Sequence, residues 1–512
     1  MLNLEITRPT EGKGIKAMAE PLLLALDQGT TSTRAILFDA AGQPLATAAR
    51  PLRQSFPADG WVEHDAEEIF AACVEVLREA VEGSGRDLGD VAAIGITNQR
   101  ETVVVWECSS GRPIHPAIVW QDRRTASVCE QLRYAEAEVA QITGLLIDPY
   151  FSATKLAWIL DHVEGARARA EQGELMAGTI DAWLVWKLTG GAVHATDATN
   201  ASRTLLFDIG RQAWSPRMLE LFSVPAAVLP EVRDTSGDFG KTTAEVLGRP
   251  VPIRAVVGDQ QGALMGQGCI AAGQMKATYG TGCFLLLHTG EARPLSKARL
   301  LTTVAARIEG RATYALEGSI FVAGAAIQWM EQGLGVPGGP QAVEALAKEA
   351  RQGHGVVLVP AFTGLGAPWW DADARGAVFG LTRDSGLAEI AHAVFDASAL
   401  QTRDLLEAMR ADAPQALGPD SELRIDGGMA KSAWFARRLA DLTGQTVCRV
   451  TYQETTALGA ALFAGLAAGV YASLEAAAQA RPKGENLQPD LAAHTREAAY
   501  ARWLDAVARV RS

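Results

Sequence analysis

The sequence predicts an α/β protein made of two similar domains. Residues 22–26 and 34–38 are short apolar runs on either side of a turn rich in Gly, Thr and Ser, a pattern typical of a β-hairpin. Residues 276–287 repeat this strand–turn–strand pattern, and strand-like and helix-like segments alternate after them. We therefore expect an internal duplication, with an N-terminal extension at residues 1–20, a first domain at 21–268 and a second domain at 269–512.

The composition indicates a folded chain with more than one domain. The chain has 512 residues, of which 48% are apolar and 21% charged, and these proportions exclude global disorder. Its 47 basic and 59 acidic side chains give a net charge of −12. This balance argues against a nucleic-acid binder, because such proteins need basic patches. It does not exclude a small anionic ligand, which a few local donors can hold.

In the first half, a helix is predicted after Asp65, where residues 65–68 have the pattern of a capping box. The apolar face of this helix consists of Ile69, Cys73, Val76, Leu77 and Ala80. Residues 91–96 and 102–106 predict strands around a polar tip at residues 97–101. Residues 125–188 predict a helix-rich region with three tryptophans in its core, Trp158, Trp183 and Trp186.

In the second half, the predicted strands are residues 355–360, 422–425 and 446–450, and the predicted helices are residues 387–408, 432–442 and 455–469. Residues 455–474 carry no charge, but most are Ala or Gly, so they predict a buried helix and no membrane insertion.

Two features of the sequence predict a cytoplasmic protein. The first 20 residues have no apolar signal-peptide core, and Met18 is an alternative start. Six scattered cysteines form neither a zinc-binding nor a disulfide pattern.

Two glycine turns predict phosphate binding. In residues 27–34, glycine lets backbone N–H groups approach an oxyanion, and hydroxyl side chains add donors. These hydroxyl residues are Thr30, Thr31 and Ser32. Asp27 can hold Mg²⁺ through water, and Arg34 can neutralise phosphate charge. A plain hairpin turn is the alternative. Residues 279–283 repeat the motif, and two such turns in duplicated domains can clamp one polyphosphate.

Three further motifs suggest chemistry. The glycines of residues 426–429 allow a base or ribose to lie against the backbone, although a tight strand-to-helix turn explains them equally well. Arg100 and Glu101 suit vicinal hydroxyls, and a surface ion pair is the alternative. Asp259 follows an apolar strand and suits a general base, unless it is an ordinary turn residue.

Three motif matches fail. Residues 240–242 resemble the end of a Walker A loop, but Thr235 stands where its first glycine is required. Residues 266–271 fit a GxGxxA dinucleotide fingerprint without the βαβ opening that it needs. The eight histidines form no HExxH motif, so a zinc hydrolase is not supported.

Taken together, five segments resemble the FGGY carbohydrate kinases: residues 27–32, 98–101, 120–124, 148–152 and 258–261. Residues 98–101 and 148–152 resemble the members that phosphorylate glycerol, and the likeness extends from about residue 22 to 469. It implies two ribonuclease-H-like domains, as in actin and hexokinase, with ATP and substrate in the cleft between them. It also implies ATP- and Mg²⁺-dependent conversion of glycerol to sn-glycerol 3-phosphate and ADP, the first step of glycerol catabolism, by a homodimer or homotetramer.

The resemblance assigns roles residue by residue. Phosphate positions are matched by Thr30, Thr31, Ser32, Arg34 and Thr281. Other nucleotide positions are matched by Gly324, Gln328 and Gly428, and Ser432 stands where many members have an asparagine facing adenine. Positions for the glycerol hydroxyls are matched by Arg100, Glu101, Tyr150, Asp259 and Gln260, and those for its carbons by Trp120 and Phe284. Asp259 is then the general base, and Asp27 and Asp259 are the candidates for holding Mg²⁺.

One departure from the family concerns regulation. Members inhibited by fructose 1,6-bisphosphate bind it at a Gly-Gly-Lys-Gly-Gly-Thr-Arg loop, whose counterpart here, residues 240–250, lacks the paired glycines. We therefore expect insensitivity to this compound.

The sequence also fits two other functions. One is a kinase of another polyol or a ketose, and the other is an ATP-driven actin- or chaperone-like protein.

Overall fold

Two β-sheets organise the chain. The computed structural model describes residues 20–418 and 421–511. Met18 and residues 1–19 of the predicted extension therefore lie outside the described residues.

The first half contributes thirteen strands and ten α-helices among the described residues. The strands are β1 Leu22–Gln28, β2 Ser32–Phe38, β3 Pro44–Pro51, β4 Glu63–His64, β5 Val91–Asn98, β6 Val103–Glu107, β7 Ala117–Ile118, β8 Leu175–Thr179, β9 Ala195–Asp197, β10 Phe207–Asp208, β11 Ala213–Trp214, β12 Glu231–Arg233 and β13 Ile253–Gly258. The helices are α1 Ala66–Ser84, α2 Ala126–Gln131, α3 Glu136–Thr143, α4 Ser152–His162, α5 Ala166–Glu171, α6 Ile180–Leu188, α7 Ala198–Ala201, α8 Pro216–Leu221, α9 Ala244–Leu247 and α10 Asp259–Gly266.

The second half, over its described residues, contributes nine strands and seven α-helices. The strands are β14 Met275–Tyr279, β15 Cys283–Gly290, β16 Leu301–Ile308, β17 Arg311–Ile320, β18 Val357–Val359, β19 Ala377–Phe379, β20 Glu422–Asp426, β21 Thr446–Arg449 and β22 Glu485–Leu487. The helices are α11 Gly324–Gln332, α12 Gly339–Lys348, α13 Leu387–Asp412, α14 Ala433–Thr443, α15 Thr455–Ala467, α16 Leu474–Gln479 and α17 Ala493–Val510.

The two main sheets share one strand pattern. The first has the order β13-β5-β1-β2-β3, with β1, β5 and β13 parallel to one another and β2 antiparallel to both of its neighbours. The second has the order β16-β17-β15-β14-β20-β21-β22, in which β14, β20 and β21 are parallel and β15 is antiparallel to both of its neighbours. The duplication predicted from the two hairpins is therefore visible in the strand order.

Helix α1 covers one face of the first sheet, and the predicted apolar face of α1 is buried against β1 and β2. The Asp65 carboxylate accepts hydrogen bonds from the N–H groups of Glu67 and Glu68, so Asp65 is the N-cap. The Glu68 carboxylate lies 3.5 Å from Arg53 instead of returning to Asp65. The predicted capping box is thus only half formed.

Helix α15 covers the opposite face of the first sheet, although it follows most of the second sheet in sequence. It packs on β1, β5 and β13. A Cβ atom on Gly95 of β5 would lie 2.1 Å from the Ala460 carbonyl oxygen, so glycine is needed for this close approach. The predicted buried helix is confirmed. Across residues 20–418 and 421–511, no helix is long and apolar enough to cross a membrane.

The predicted tryptophan core needs correction, and the failed dinucleotide-like match has a structural explanation. Trp183 is fully buried as predicted, but Trp158 and Trp186 are only half-buried and pack at the edges of their clusters. Trp158 stacks on His162 at the end of α4. The dinucleotide-like residues 266–271 begin where α10 crosses α15, so Gly266 serves helix packing there.

Candidate active site

The turn between β1 and β2 presents hydroxyl groups at one end of the strands of the first sheet. The Gly29 N–H donates to the Ser32 carbonyl at 2.9 Å, which closes the turn, and Thr31 at its tip is exposed. The Thr30 hydroxyl accepts a 2.9 Å hydrogen bond from the Trp120 indole N–H. Asp27 lies opposite Arg34 in the β1–β2 register, and Arg34 forms an ion pair with Glu454, just before α15.

Asp27 has the properties of a cation ligand. Burial raises the pKa of this carboxyl to about 7, against the lowering effect of Arg34, and the charges of Glu454 and Asp259 raise it further. Two mutually repelling carboxylates, Asp27 and Asp259, therefore stand near each other. Mg²⁺ commonly binds one or two carboxylates together with substrate phosphates, so the donor set fits that ion. Within the described ranges, no group of three or more His, Cys, Asp or Glu residues suits a metal.

The turn between β14 and β15 meets two other glycine-containing segments. The Thr281 carbonyl accepts from the N–H groups of Ala323 (2.9 Å) and Ala325 (3.0 Å), which fixes the start of α11 on this turn. A Cβ on Gly324 would lie 2.5 Å from the Gly280 carbonyl oxygen. A Cβ on Gly427, whose φ is +89°, would lie 2.4 Å from the Tyr279 carbonyl oxygen. The structure thus brings Thr281, Gly324 and Gly428 together.

The remaining predicted nucleotide residues lie on the helices that leave this cluster. Gln328 is exposed one turn into α11. The Ser432 hydroxyl accepts the Phe435 N–H at 2.9 Å and is the N-cap of α14. Its hydroxyl proton is still available to a ligand acceptor.

Arg100 and Glu101 occupy the turn that follows β5, and they are only 2% and 1% exposed. The alternative of a surface ion pair is therefore wrong. Glu101 has a φ of +63°, in the left-handed region that a non-glycine residue rarely adopts. Such a conformation persists only where the surroundings enforce it, and it is common at functional sites.

Trp120 and Tyr150 form an aromatic wall beside this pair. Their rings meet edge to face with centroids 5.5 Å apart. Asp148 holds the loop by accepting from the Tyr150 N–H at 2.9 Å and from Arg123 at 2.9 Å. Burial raises the pKa of Tyr150, so its hydroxyl stays protonated and can donate.

Asp259 begins α10 at the end of β13, and its side chain is 31% exposed. The Arg100 Nε atom lies 3.2 Å from the Asp259 Oδ1 atom. The neighbouring Gln260 side chain accepts a hydrogen bond from Lys276 on β14. Phe284 on β15 is partly buried and packs against a small apolar cluster that includes Leu264 of α10. The end of the first sheet and the first hairpin of the second sheet therefore meet at Asp259 and Gln260.

Sequence reasoning missed three charged residues in this site: Arg203, Lys276 and Glu317. Each is at most 1% exposed. Arg203 donates to Glu101 at 2.7 Å and to Glu317 at 3.0 Å. Lys276 donates to Gln260 and, at 3.0 Å, to Thr278. A charge within an apolar strand was the available signal for Lys276 and Glu317. Arg203 lies in the turn just after the short helix α7 and has no such pattern around it.

Comparison with known proteins identifies the family to which this chain belongs. Residues 22–266 match the N-terminal domain of the FGGY family of carbohydrate kinases, and residues 275–468 match the C-terminal domain of that family. The chain therefore belongs to the FGGY family of carbohydrate kinases.

Within that family, the sequence is most informatively compared with glycerol kinases. The chain is 55% identical to a glycerol kinase of Ectopseudomonas mendocina over 96% of this chain and 99% of the relative. It is 56% identical to a glycerol kinase of Alcanivorax borkumensis over 96% and 98%.

Solved structures of FGGY-type kinases are similar to this chain over nearly its whole length. A Plasmodium falciparum glycerol kinase crystallised with ADP superposes with a TM-score of 0.90 at 32% identity, over 96% of this chain and 98% of that one. A xylulose kinase from Rhodospirillum rubrum has a TM-score of 0.84 at 23% identity, over 95% and 98%, which shows the shared fold alone.

Proposed function

We propose that this protein transfers the terminal phosphoryl group of ATP to a terminal hydroxyl of glycerol, giving sn-glycerol 3-phosphate and ADP. The observation that carries the proposal is the buried pair Arg100–Glu101 next to the partly exposed Asp259. A polyol needs several fixed donors and acceptors in one place, and burial gives their loss a high energetic cost. An actin- or chaperone-like ATPase would need the nucleotide turns but no such pocket.

Each polyol-site residue has a distinct role in this proposal. Arg100 and Tyr150 donate to glycerol oxygens, while Glu101 accepts from a hydroxyl and Gln260 adds an amide. The rings of Trp120 and Phe284 pack against the carbons, as the resemblance to the family implies. Trp120 also meets Tyr150 edge to face, and Phe284 is partly buried, so both rings offer apolar surface to the substrate carbons.

Asp259 acts as the general base. Its carboxylate accepts the proton of the terminal hydroxyl as the oxygen of that hydroxyl attacks the γ-phosphorus of ATP, and the bond to the ADP oxygen breaks. Arg100 lies 3.2 Å away and keeps the carboxylate oriented. Because the group is partly exposed, it can reach substrate in the cleft, unlike the fully buried Glu317.

The two glycine turns hold the phosphates. Donors come from the first turn through Thr30, Thr31 and Ser32, and from the second through Thr281. Arg34 supplies positive charge once it exchanges Glu454 for phosphate. Asp27 and Asp259 would hold Mg²⁺, which when bound would neutralise part of the polyphosphate charge.

The nucleoside lies in the second domain in this proposal. Gly324 and Gly428 let the backbone approach the ribose and base, Gln328 adds an amide and Ser432 offers its hydroxyl proton to adenine. A serine reaches less far than an asparagine, so we expect this contact to run through water.

The test is a coupled assay of ADP release with purified protein, ATP and Mg²⁺. We expect release to depend on glycerol and to fall at least tenfold when xylulose or another polyol replaces it. ADP release that ignores glycerol would instead favour the actin- or chaperone-like ATPase. Equal rates with glycerol and a ketose would instead favour a kinase of another polyol or a ketose.

We further propose a cytoplasmic enzyme that assembles as a homodimer or homotetramer. Light scattering after size-exclusion chromatography measures the assembly state directly, and a monomer at micromolar concentration would contradict this part of the proposal.

A further inference from the structure

Glu317 lies in the middle of β17, where apolar residues are expected. Its register partners are Leu286 on β15 and Leu301 on β16, and it is 1% exposed. Replacing buried ion pairs by apolar residues of similar volume is often neutral or stabilising, so stability alone is a weak reason for a carboxylate there. The contacts of this carboxylate point to another role.

Both carboxylate oxygens of Glu317 accept hydrogen bonds from the guanidinium group of Arg100. Oε2 accepts from the NH1 group of Arg100 at 2.7 Å, and Oε1 accepts from its NH2 group at 3.1 Å. Oε1 also accepts from Arg203 at 3.0 Å. Burial raises the pKa of Glu317, but the two arginines more than offset this and lower it to about 2, so the group is ionised.

The contacts link two arginines and two glutamates in a network of alternating charges. Arg203 bridges the two carboxylates, because its Nε donates to Glu101 at 2.7 Å while its NH2 group donates to Glu317. Arg100 and Arg203 are balanced by Glu101 and Glu317, so these four side chains are together neutral. A bidentate fork fixes the plane of a guanidinium as well as its position. With its NH1/NH2 edge held by Glu317, Arg100 turns its Nε edge toward Asp259, 3.2 Å away, and toward Glu101, 3.8 Å away.

We infer that Glu317 is a positioning residue for the polyol site, contributed by the second domain. It acts through Arg100 directly and through Arg203 on Glu101, so the site for glycerol is complete only when both halves of the chain supply their charges. This inference rests on the proposed function, because it assigns Arg100 and Glu101 to the substrate hydroxyls.

The test compares Glu317→Gln and Glu317→Asp with wild type in the ADP-release assay, titrating glycerol and ATP separately. The amide keeps the shape but loses the charge and one of the two acceptor oxygens, so at least one arginine N–H group loses its acceptor. We expect the KM for glycerol to rise about 10- to 100-fold and the KM for ATP to change less than about twofold. Glu317→Asp keeps the charge but shortens the reach, so its KM for glycerol should fall between those of wild type and Glu317→Gln.

Glu389→Gln is the matched control. Glu389 is also buried, at 6% side-chain exposure, and also pairs with an arginine, Arg351 at 3.0 Å, but it lies outside this network at the start of α13. It should lose stability without a selective change in the KM for glycerol. If Glu317→Gln does not fold, Glu317→Asp decides: a selective rise in the KM for glycerol supports the inference, and an unchanged KM overturns it.

A double-mutant cycle tests the route through Arg100. Arg100→Lys keeps the charge but not the planar fork, so Glu317→Gln should have a clearly smaller effect in that background. Equal effects in both backgrounds, or equal changes in the KM for glycerol and ATP, would overturn the inference. If wild type itself shows no glycerol-dependent ADP release, the proposed function fails; if wild type responds and the Glu317 variants match Glu389→Gln, only the positioning role fails.

Discussion

The crossing of α10 and α15 has no space for a methyl group, and this gives a sharp prediction. A Cβ on Gly459 would lie 1.8 Å from the Gly262 carbonyl oxygen and 2.9 Å from the Gly266 nitrogen. Both contacts are with backbone, which cannot rotate away as a side chain can. Because non-bonded atoms normally stay about 3.5 Å apart, Gly459→Ala must move the helices apart by about 1.5 Å.

The expected cost lies at or above the upper end of the usual range for overpacking, about 1–3 kcal/mol. At about 2–4 °C per kcal/mol, a cost of about 3 kcal/mol lowers the melting temperature by about 6–12 °C. Activity should fall as well, because α10 begins with the proposed base Asp259, and a displacement near 1 Å can cost about 100-fold in rate.

The assay is thermal unfolding followed by fluorescence, together with steady-state ADP release. Gly83→Ala is the matched control, because Gly83 is an exposed residue of α1 and a Cβ there meets no atom within 4 Å. Alanine favours helix, so this variant should be as stable as wild type or more stable by up to about 1 kcal/mol. If Gly459→Ala has the same melting temperature as wild type while Gly83→Ala behaves as expected, the close-packing argument is refuted.

Three further predictions concern the active site and its regulation. Asp259→Asn should reduce turnover by about 10²- to 10⁴-fold while calorimetry shows unchanged ATP binding; retention of a tenth of the wild-type rate would exclude its role as base. Glu101→Ala should raise the KM for glycerol about tenfold or more with little change for ATP, since it removes a buried partner, and equal losses for both ligands would place Glu101 outside the polyol site. Fructose 1,6-bisphosphate up to millimolar concentration should leave activity unchanged at fixed free Mg²⁺, because Lys241 and Arg249 stand apart around the short helix α9; saturating inhibition at micromolar concentration would contradict this.

Local patterns determined much of this protein. The hairpins at β1–β2 and β14–β15, the N-cap Asp65 and the helix at residues 455–467 depend on neighbours within a few residues, so the sequence alone predicts them. For the same reason, the sequence alone identified the hydroxyl residues of the first turn and the aspartate at the end of β13 as candidate site residues. The fold class followed from the repetition of one hairpin pattern.

Tertiary structure alone decided how charges were paired and which faces were covered. Glu317 meets Arg100 across 217 positions, and α15 packs on the sheet of the other half of the chain. Nothing in the pattern around Arg100 distinguishes a buried fork from a surface ion pair, since the two share the same local sequence. Burial, orientation and the partner of a charge arise only when strands and helices far apart in sequence close on one another, because the free energy of a charge depends on its surroundings in space.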